Sequence, residues 1–366
     1  MKKIIGFYQP LIFQPYAFFQ KNYFKKKNFF LSFADALVCL IKQLPGITGQ
    51  DNILLPNFYC PDTLNFISHY GRLIFYKVNS DFSIDKENYF EQIAKFNPKI
   101  IINYCFTGFE LTLEEKTRLL QTIKPDTIII DDFAHRIIEP EKIDYLNNNH
   151  FIIDSIRKHS PVLGSHLLGQ KFLCQNKNVA GLNLYKLKAH FWQLIKGALE
   201  LGSYLFRSVF LNDLSEKAFL IHDEIIGNNP QATGGSWLSF LIYNLIDRKK
   251  LKAHYHQIAM YYNQKLSETK NALIYNLDSK IIKKSELNYY PLFVNNKIKF
   301  DLLQYLREKN IFADILWPAE EVKNQELNYG LYDSFIIFPL NYLINKDDID
   351  YLAKNIDEFF KKYDHR

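Results

Sequence analysis

Three short stretches hold residue types that can do chemistry. In "TIIIDDFAHRII" (127–138) an apolar, β-branched run ends in two carboxylates, Asp131 and Asp132. Successive side chains of a strand point to opposite faces, so one carboxylate goes to each side of the sheet. A buried carboxylate costs several kcal/mol unless a cation meets it, which predicts a fixed positive partner for one of them. In "DSIRKHSPVLGSHLL" (154–168) a second apolar run, "NHFIIDSI", is followed at once by Arg157, Lys158 and His159, before Pro161 and Gly164 turn the chain. If the two strand ends are neighbours, an acid and an amine face one crevice; a structural ion pair is the alternative. In "LSFADALVCLIKQL" (31–44) Ser32 is placed as a helix N-cap with Asp35 three residues on, the spacing of a capping box. The exposed amides and dipole of such a helix start suit an anion such as phosphate, although capping alone also accounts for Ser32.

The elements that must position these residues alternate. Apolar runs begin at 52 ("NILLP"), 72 ("RLIFYKV"), 99 ("KIIINYCF"), 127, 150 and 171 ("KFLCQ"), with helical patterns such as "TLEEKTRLLQTI" between most of them. That alternation predicts an α/β domain on a mostly parallel sheet, whose ligand crevice lies beyond the carboxyl ends of the strands. After Leu182 the pattern is helical through 235–266, and a smaller α+β unit follows in "YYPLFVNN", "FDLLQYLREKN", "SFIIFPL" and a closing helix from Lys346. The expected division is a large domain over 1–245 and a small C-terminal domain over 246–366.

Composition narrows the function classes. The 366 residues are 48% hydrophobic, enough for sizeable cores. The 45 basic and 39 acidic residues are spread along the chain, so nucleic acid is not the default partner; "NYFKKKNFF" (22–30) reads as a solvated loop. Four cysteines, Cys39, Cys60, Cys105 and Cys174, stand far apart, which argues against a zinc site or disulfide framework and suits a cytoplasmic address. Gln9, Pro10, Gln14 and Pro15 interrupt the apolar amino terminus, so a signal peptide is not expected. The most lipid-like stretch, His190 to Leu211, carries Lys196, Glu200 and Arg207 and reads as an amphipathic helix, buried or facing another subunit, with contact to a membrane surface as the alternative, rather than as a membrane span.

In the order and spacing of "DNILLPNFYCPDTLNFISHYGRLIFYKVNSDFSID", "KIIINYCFTG", "IIDDFAHRII" and "DSIRKHSPVLGS", most of the first 175 residues resemble the fold-type I pyridoxal phosphate enzymes, in particular the DegT/DnrJ/EryC1/StrS-like aminotransferases. "NIFADILWP" and "FIIFPLNYLINKDDIDYLAKNI" are similar to that family's small domain. The resemblance implies pyridoxal 5'-phosphate as cofactor, with Lys158 forming the Schiff base. It implies that Ser155 holds the phosphate together with the helix start at Ser32, Phe33 and Ala34. Asp132, in an Asp-x-Ala pattern with Ala134, would pair with the pyridine nitrogen, so that the ring accepts electrons released when a Cα proton leaves. Lys158 would carry that proton as base and acid.

Tyr59 or Phe58 is implied as the aromatic covering the ring, and His135 as a residue at the cofactor's edge or a satisfied core histidine. Relatives commonly have glycine where Phe33 stands, and Gly-Gly where Gly164, Ser165 and His166 follow the lysine. Arg136 and Arg157 are candidates to hold a substrate carboxylate. The implied activity is that of a homodimeric aminotransferase taking a small-molecule amino donor, glutamate in the first instance, and a carbonyl acceptor such as a keto sugar nucleotide of polysaccharide biosynthesis. A lyase, decarboxylase or acyltransferase using the same cofactor, and a degenerate member that only binds, are the alternatives.

Overall fold

A computed structural model describes residues 4–8, 26–44, 47–105, 111–170, 184–227, 230–269, 271–317 and 327–363. Seven strands make the larger sheet: β1 (Phe29–Phe30), β2 (Asn52–Pro56), β3 (Arg72–Tyr76), β4 (Ile100–Tyr104), β5 (Ile128–Phe133), β6 (His150–Asp154) and β7 (Ser165–Gly169). Their order is β1-β7-β6-β5-β4-β2-β3. The strands from β3 to β6 run parallel, and β7 and β1 are antiparallel to their neighbours. Helices α1 (Phe33–Gln43), α2 (Pro61–Ile67), α3 (Lys86–Phe96) and α4 (Leu113–Thr122) separate consecutive strands from β1 to β5. Ile100 to Ile102, Ile128 to Ile130, Ile152 and Ile153 are all buried, the continuous apolar run of a sheet covered on both faces.

The chain leaves β2 for the edge strand β3 and then returns to β4 on the other side of β2. A reversal of this kind opens a crevice past the carboxyl ends of the strands, here where β2, β4, β5 and β6 deliver Tyr59, Tyr104, Asp132 and Lys158. The loop after Lys158 is fixed by one close approach. Phe29 is fully buried, and a Cβ at Gly164 or at Gly235 would collide with its ring. Only glycine lets both backbones close on that ring.

Four helices follow: α5 (Leu184–Phe206), α6 (Val209–Gly227), α7 (Trp237–Asn244) and α8 (Arg248–Ser267). The single helix read over 190–211 is two, because Arg207 takes a left-handed φ of 52° and α5 and α6 fold back as a hairpin. The long pattern of 235–266 is also broken, by Asp247, whose side chain accepts from the Lys250 amide at 3.1 Å and starts α8. Helix α8 leads to an antiparallel sheet of β8 (Ile274–Asn276), β9 (Tyr289–Val294) and β10 (Phe335–Pro339), in the order β10-β9-β8. Helices α9 (Ser279–Lys284), α10 (Asn296–Glu308), α11 (Tyr329–Tyr332) and α12 (Lys346–Tyr363) complete this part. Strands β1, β7 and β8 have no counterpart in the sequence reading; β1 and β8 are only two and three residues long, and β7 directly follows turn residues. The run at 171, with Cys174, lies outside the described residues.

Candidate active site

The two carboxylates of β5 part as period two demands. Asp131 accepts from Asn103 Nδ2 at 2.8 Å and lies 2.9 Å from His150 Nε2. Burial pushes its carboxyl up, but His150 and Asn103 more than offset this and hold it below the usual range. Asp131 is thus tied into the sheet's flank. Asp132 faces the crevice, where Tyr59 Oη donates to it at 2.5 Å and the Ala134 amide at 2.8 Å. Burial raises its carboxyl to about 6, with Tyr59, the Ala134 amide and the charge of Lys158 pulling the other way.

Register sets Asp132 beside Ile153 on β6, and Lys158 follows five residues later in the 3-10 turn Ile156–Lys158. Burial lowers the Lys158 amine to about 8, and the neighbouring Arg157 guanidinium pushes the same way. Arg157 itself is paired with Asp223 of α6 at 2.9 Å. Arg136 is paired with Glu286 at 2.9 Å and lies over the Phe133 ring. Both arginines proposed for a substrate carboxylate therefore already hold one.

Of the two aromatics, Tyr59 is the one at Asp132. The Tyr332 hydroxyl clamps the Tyr59 backbone, accepting from its amide at 2.7 Å and donating to its carbonyl at 2.5 Å. Phe58 turns instead into a cluster with Phe82, Trp317, Tyr332 and Phe335. His135 is buried edge-on among Tyr104, Tyr289 and Trp317, at centroid distances of 6.3, 5.3 and 5.8 Å. Burial, then Lys158, pushes its imidazole well below the usual range, so it is neutral at physiological pH. A cavity of about 450 Å³ opens beside it, lined by Lys142, Lys249, Lys252, Lys283 and Lys284 against Glu139 and Glu286.

At the start of α1 the expected capping box is only half made. The Ser32 hydroxyl accepts from the Asp35 amide at 3.1 Å, but the Asp35 carboxylate does not return to the cap's backbone. It accepts from Ser32 Oγ at 2.6 Å and from the Gln231 and Thr233 amides at 3.1 and 2.9 Å. A glutamate is long enough to reach back to the cap; an aspartate one carbon shorter finds the 231–233 backbone instead. Burial raises the Asp35 carboxyl, against those hydrogen bonds. Phe33 is buried beside it, and Ala34 follows in the first turn. Ser155 is buried at the start of the Lys158 turn, directly after β6, the strand beside Asp132. Ser165 and His166, where relatives have glycines, serve the sheet: Ser165 Oγ donates to the Asp154 carbonyl at 2.6 Å, and His166 Nδ1 lies 2.9 Å from the Asp154 carboxylate.

The residues missed by the sequence reading are the ones that close the site from afar. Asp223 lies on α6, Tyr289 on β9, Tyr332 on α11 and Trp317 in the segment before α11, all far along the chain from Lys158. Only Trp317 carried a local sign, its place before Pro318, and it takes a left-handed φ of 54°.

No family profile and no curated protein sequence matches the chain. Solved structures do. Helicobacter pylori PseC, an aminotransferase involved in the biosynthesis of pseudoaminic acid, is similar at a TM-score of 0.63 and 13% identity, over 98% of this chain and 100% of that one. NtdA from Bacillus subtilis with bound cofactor PMP gives 0.59 and 14%, over 91% and 73%. A DegT DnrJ EryC1 StrS aminotransferase from Brucella abortus gives 0.55 and 15%, over 90% and 85%. At such identities the likeness establishes the fold: the seven-stranded mixed sheet and the small antiparallel sheet are those of the fold-type I pyridoxal phosphate-dependent transferases.

Proposed function

We propose that the protein is a pyridoxal phosphate-dependent aminotransferase that moves an amino group from a small-molecule donor, such as glutamate, to a keto sugar nucleotide or similar carbonyl compound. The observation that carries this reading is the pair of groups at adjacent strand ends: a half-buried Lys158, its amine lowered to about 8, and a buried carboxylate at Asp132. The residues suit the cofactor at its ring end. Asp132 has one hydroxyl and one amide donor, and a carboxylate has lone pairs for a further N–H.

When bound, pyridoxal phosphate supplies an aldehyde that an amine can bond and a ring that withdraws electrons from the substrate's Cα. Burial lowers the Lys158 amine to about 8, so Nζ would be available unprotonated to bond that aldehyde and to take and return the proton at the substrate's Cα. Asp132 would accept the ring N–H and keep it protonated. Tyr59 either yields its place at the carboxylate or shares it. Neutral His135, with Tyr104 and Trp317, supplies the apolar wall that excludes water. Ser155 and the α1 start are assigned to the phosphate.

The same proposal includes the division at residue 246, a cytoplasmic homodimer and a role in polysaccharide biosynthesis. Among the described residues no helix is long and apolar enough to cross a membrane. One observation favours a second reading, a member that binds without catalysis: Asp35 takes the Ser32 hydroxyl that the first reading gives to the phosphate. The test is the visible spectrum of the protein mixed with pyridoxal phosphate, followed by glutamate. Transamination predicts a protein-bound band that glutamate bleaches; a protein that takes up no cofactor favours the second reading.

A further inference from the structure

The cavity beside His135 takes no part in the reaction proposed above. It lies between the turn after β5, helix α8 and the α9–β9 connection, and its volume of about 450 Å³ is that of a small-molecule site. Its floor is apolar: Ile137, Tyr255, Ala259 and Leu287 are each between 2 and 6% exposed. Its rim is cationic and comes from three separate elements, with Lys142 after β5, Lys249 and Lys252 on α8, and Lys283 and Lys284 in the last turn of α9. The carboxylates at that rim do not balance the cations. Glu139 lies 2.8 Å from Lys142 and 3.0 Å from Lys252; Glu286 holds Lys252 and, at 2.9 Å, Arg136; Glu141 lies 3.3 Å from Lys249. Three carboxylates thus serve four cations, and Lys283 and Lys284 have no ion pair among the described residues. Only Lys252 is fixed between two carboxylates. Lys142, Lys249, Lys283 and Lys284 are exposed, and an exposed ion pair holds a lysine by less than about 1 kcal/mol, so all four are available to a ligand.

We propose that this cavity binds a small molecule carrying a diphosphate group, with the lysine rim on the phosphates and the apolar floor against the rest of the ligand. The excess positive charge is spread over three elements, so it is met by a ligand with charge on more than one centre, which a carboxylate or a single phosphate lacks. Lysines suit this role because each ammonium, on a flexible stem, approaches phosphate as a point charge from its own direction. The floor favours a ligand with a planar or apolar body, such as a nucleoside diphosphate, over the free anion. The site is distinct from the Lys158 crevice. Neither Lys158 nor Asp132 lines it, and His135, which does, packs on Tyr104 and Trp317 and so forms the wall between the two. Binding there needs neither the cofactor nor the transamination, so its failure leaves the spectrum with pyridoxal phosphate unchanged.

The test is isothermal titration calorimetry of the full chain in metal-free, low-salt buffer with ADP, inorganic diphosphate and inorganic phosphate, each with and without one equivalent of pyridoxal phosphate. ADP is expected to bind one site per chain, at least tenfold tighter than phosphate and equally well with and without the cofactor. An affinity for ADP above that for inorganic diphosphate assigns the floor to the nucleoside; equal affinities assign the site to the free anion. Lys283→Ala combined with Lys284→Ala should weaken ADP and diphosphate at least tenfold. Both side chains are exposed, so circular dichroism and the thermal midpoint should be kept. Ala253→Phe, at an exposed α8 position in the cavity wall, keeps every charge and should weaken ADP through lost volume. The proposal is overturned if neither ADP nor diphosphate binds, if one equivalent of pyridoxal phosphate displaces them, or if their affinity survives the loss of both lysines.

Discussion

At the ends of β5 and β6 both aspartates have partners: Asp131 has Asn103, which strand register sets beside it, and His150, and Asp132 has Tyr59 and the Ala134 amide. Along the α5–α6 hairpin several buried polar groups lack a partner from another element. Lys196 meets Glu200 on its own helix at 2.6 Å, while Gln193 Oε1 and His222 Nε2 have no partner among the described residues. A sheet fixes the separation of neighbouring side chains through its backbone ladder, so a constellation at strand ends is organised before any ligand arrives. A helical hairpin has no such ladder between its helices, and on α5 Gln193, Lys196, Glu200 and Ser203 are buried while Leu187, Phe191 and Leu194 are exposed.

That contrast can be broken most severely at Lys158. Lys158→Ala should reduce transamination at least about a thousandfold, because the bond to the aldehyde and the proton carrier are lost together. Activity within tenfold of wild type in a coupled donor assay would move the chemistry elsewhere. The fold should be untouched, as judged by circular dichroism.

Asp132 tests whether the crevice is organised at a cost. Its carboxyl lies about two units above the ordinary value, so the ionised group opposes folding above pH 6, and the cost fades as pH falls from 6 toward 3.8. Asp132→Asn should therefore stabilise the cofactor-free chain by up to about 3 kcal/mol at pH 7.5, and by much less at pH 4.5, while transamination falls about a hundredfold. Urea midpoints at the two pH values read it out; equal shifts at both would sink the account of burial.

A third prediction concerns the pH at which cofactor binds covalently. Since only the unprotonated Lys158 amine bonds an aldehyde, the association rate should rise through pH 7 and level off above about 8. Arg157→Gln should move that midpoint upward, because it removes a neighbouring positive charge and releases Asp223. Stopped-flow absorbance across pH decides it, and an unmoved midpoint would leave burial as the whole cause.

The smallest effect is expected at α1. Asp35→Asn removes a negative charge where the phosphate is assigned and should tighten pyridoxal phosphate about fivefold, near 1 kcal/mol, with little change for pyridoxal lacking the phosphate. Equal gains for both would detach Asp35 from the phosphate end.

Much of the crevice was legible because β-branched runs ending in Asp131–Asp132 and in Ser155–Lys158 signal strands and their carboxyl ends within a few residues. Which of the two aromatics meets Asp132 was not, since Tyr332 clamps the Tyr59 backbone and Phe58 packs on Trp317, both far along the chain. Helix α5 was legible as amphipathic, yet periodicity states only that two sides differ. Which side faces inward depends on what the loop of Lys158 offers, and that loop offers charge. The break at Arg207 also left no mark, because a left-handed arginine has no sequence signature of the kind a glycine gives.

The central claim is that Lys158 bonds the cofactor. The most direct measurement is an absorbance spectrum with pyridoxal phosphate at pH 8, borohydride reduction, and peptide mapping of the product. The account predicts a visible band that reduction abolishes and a cofactor mass fixed on the peptide containing Lys158, absent from Lys158→Ala. Saturating cofactor with no protein-bound band, or with the mass on another lysine, would contradict it.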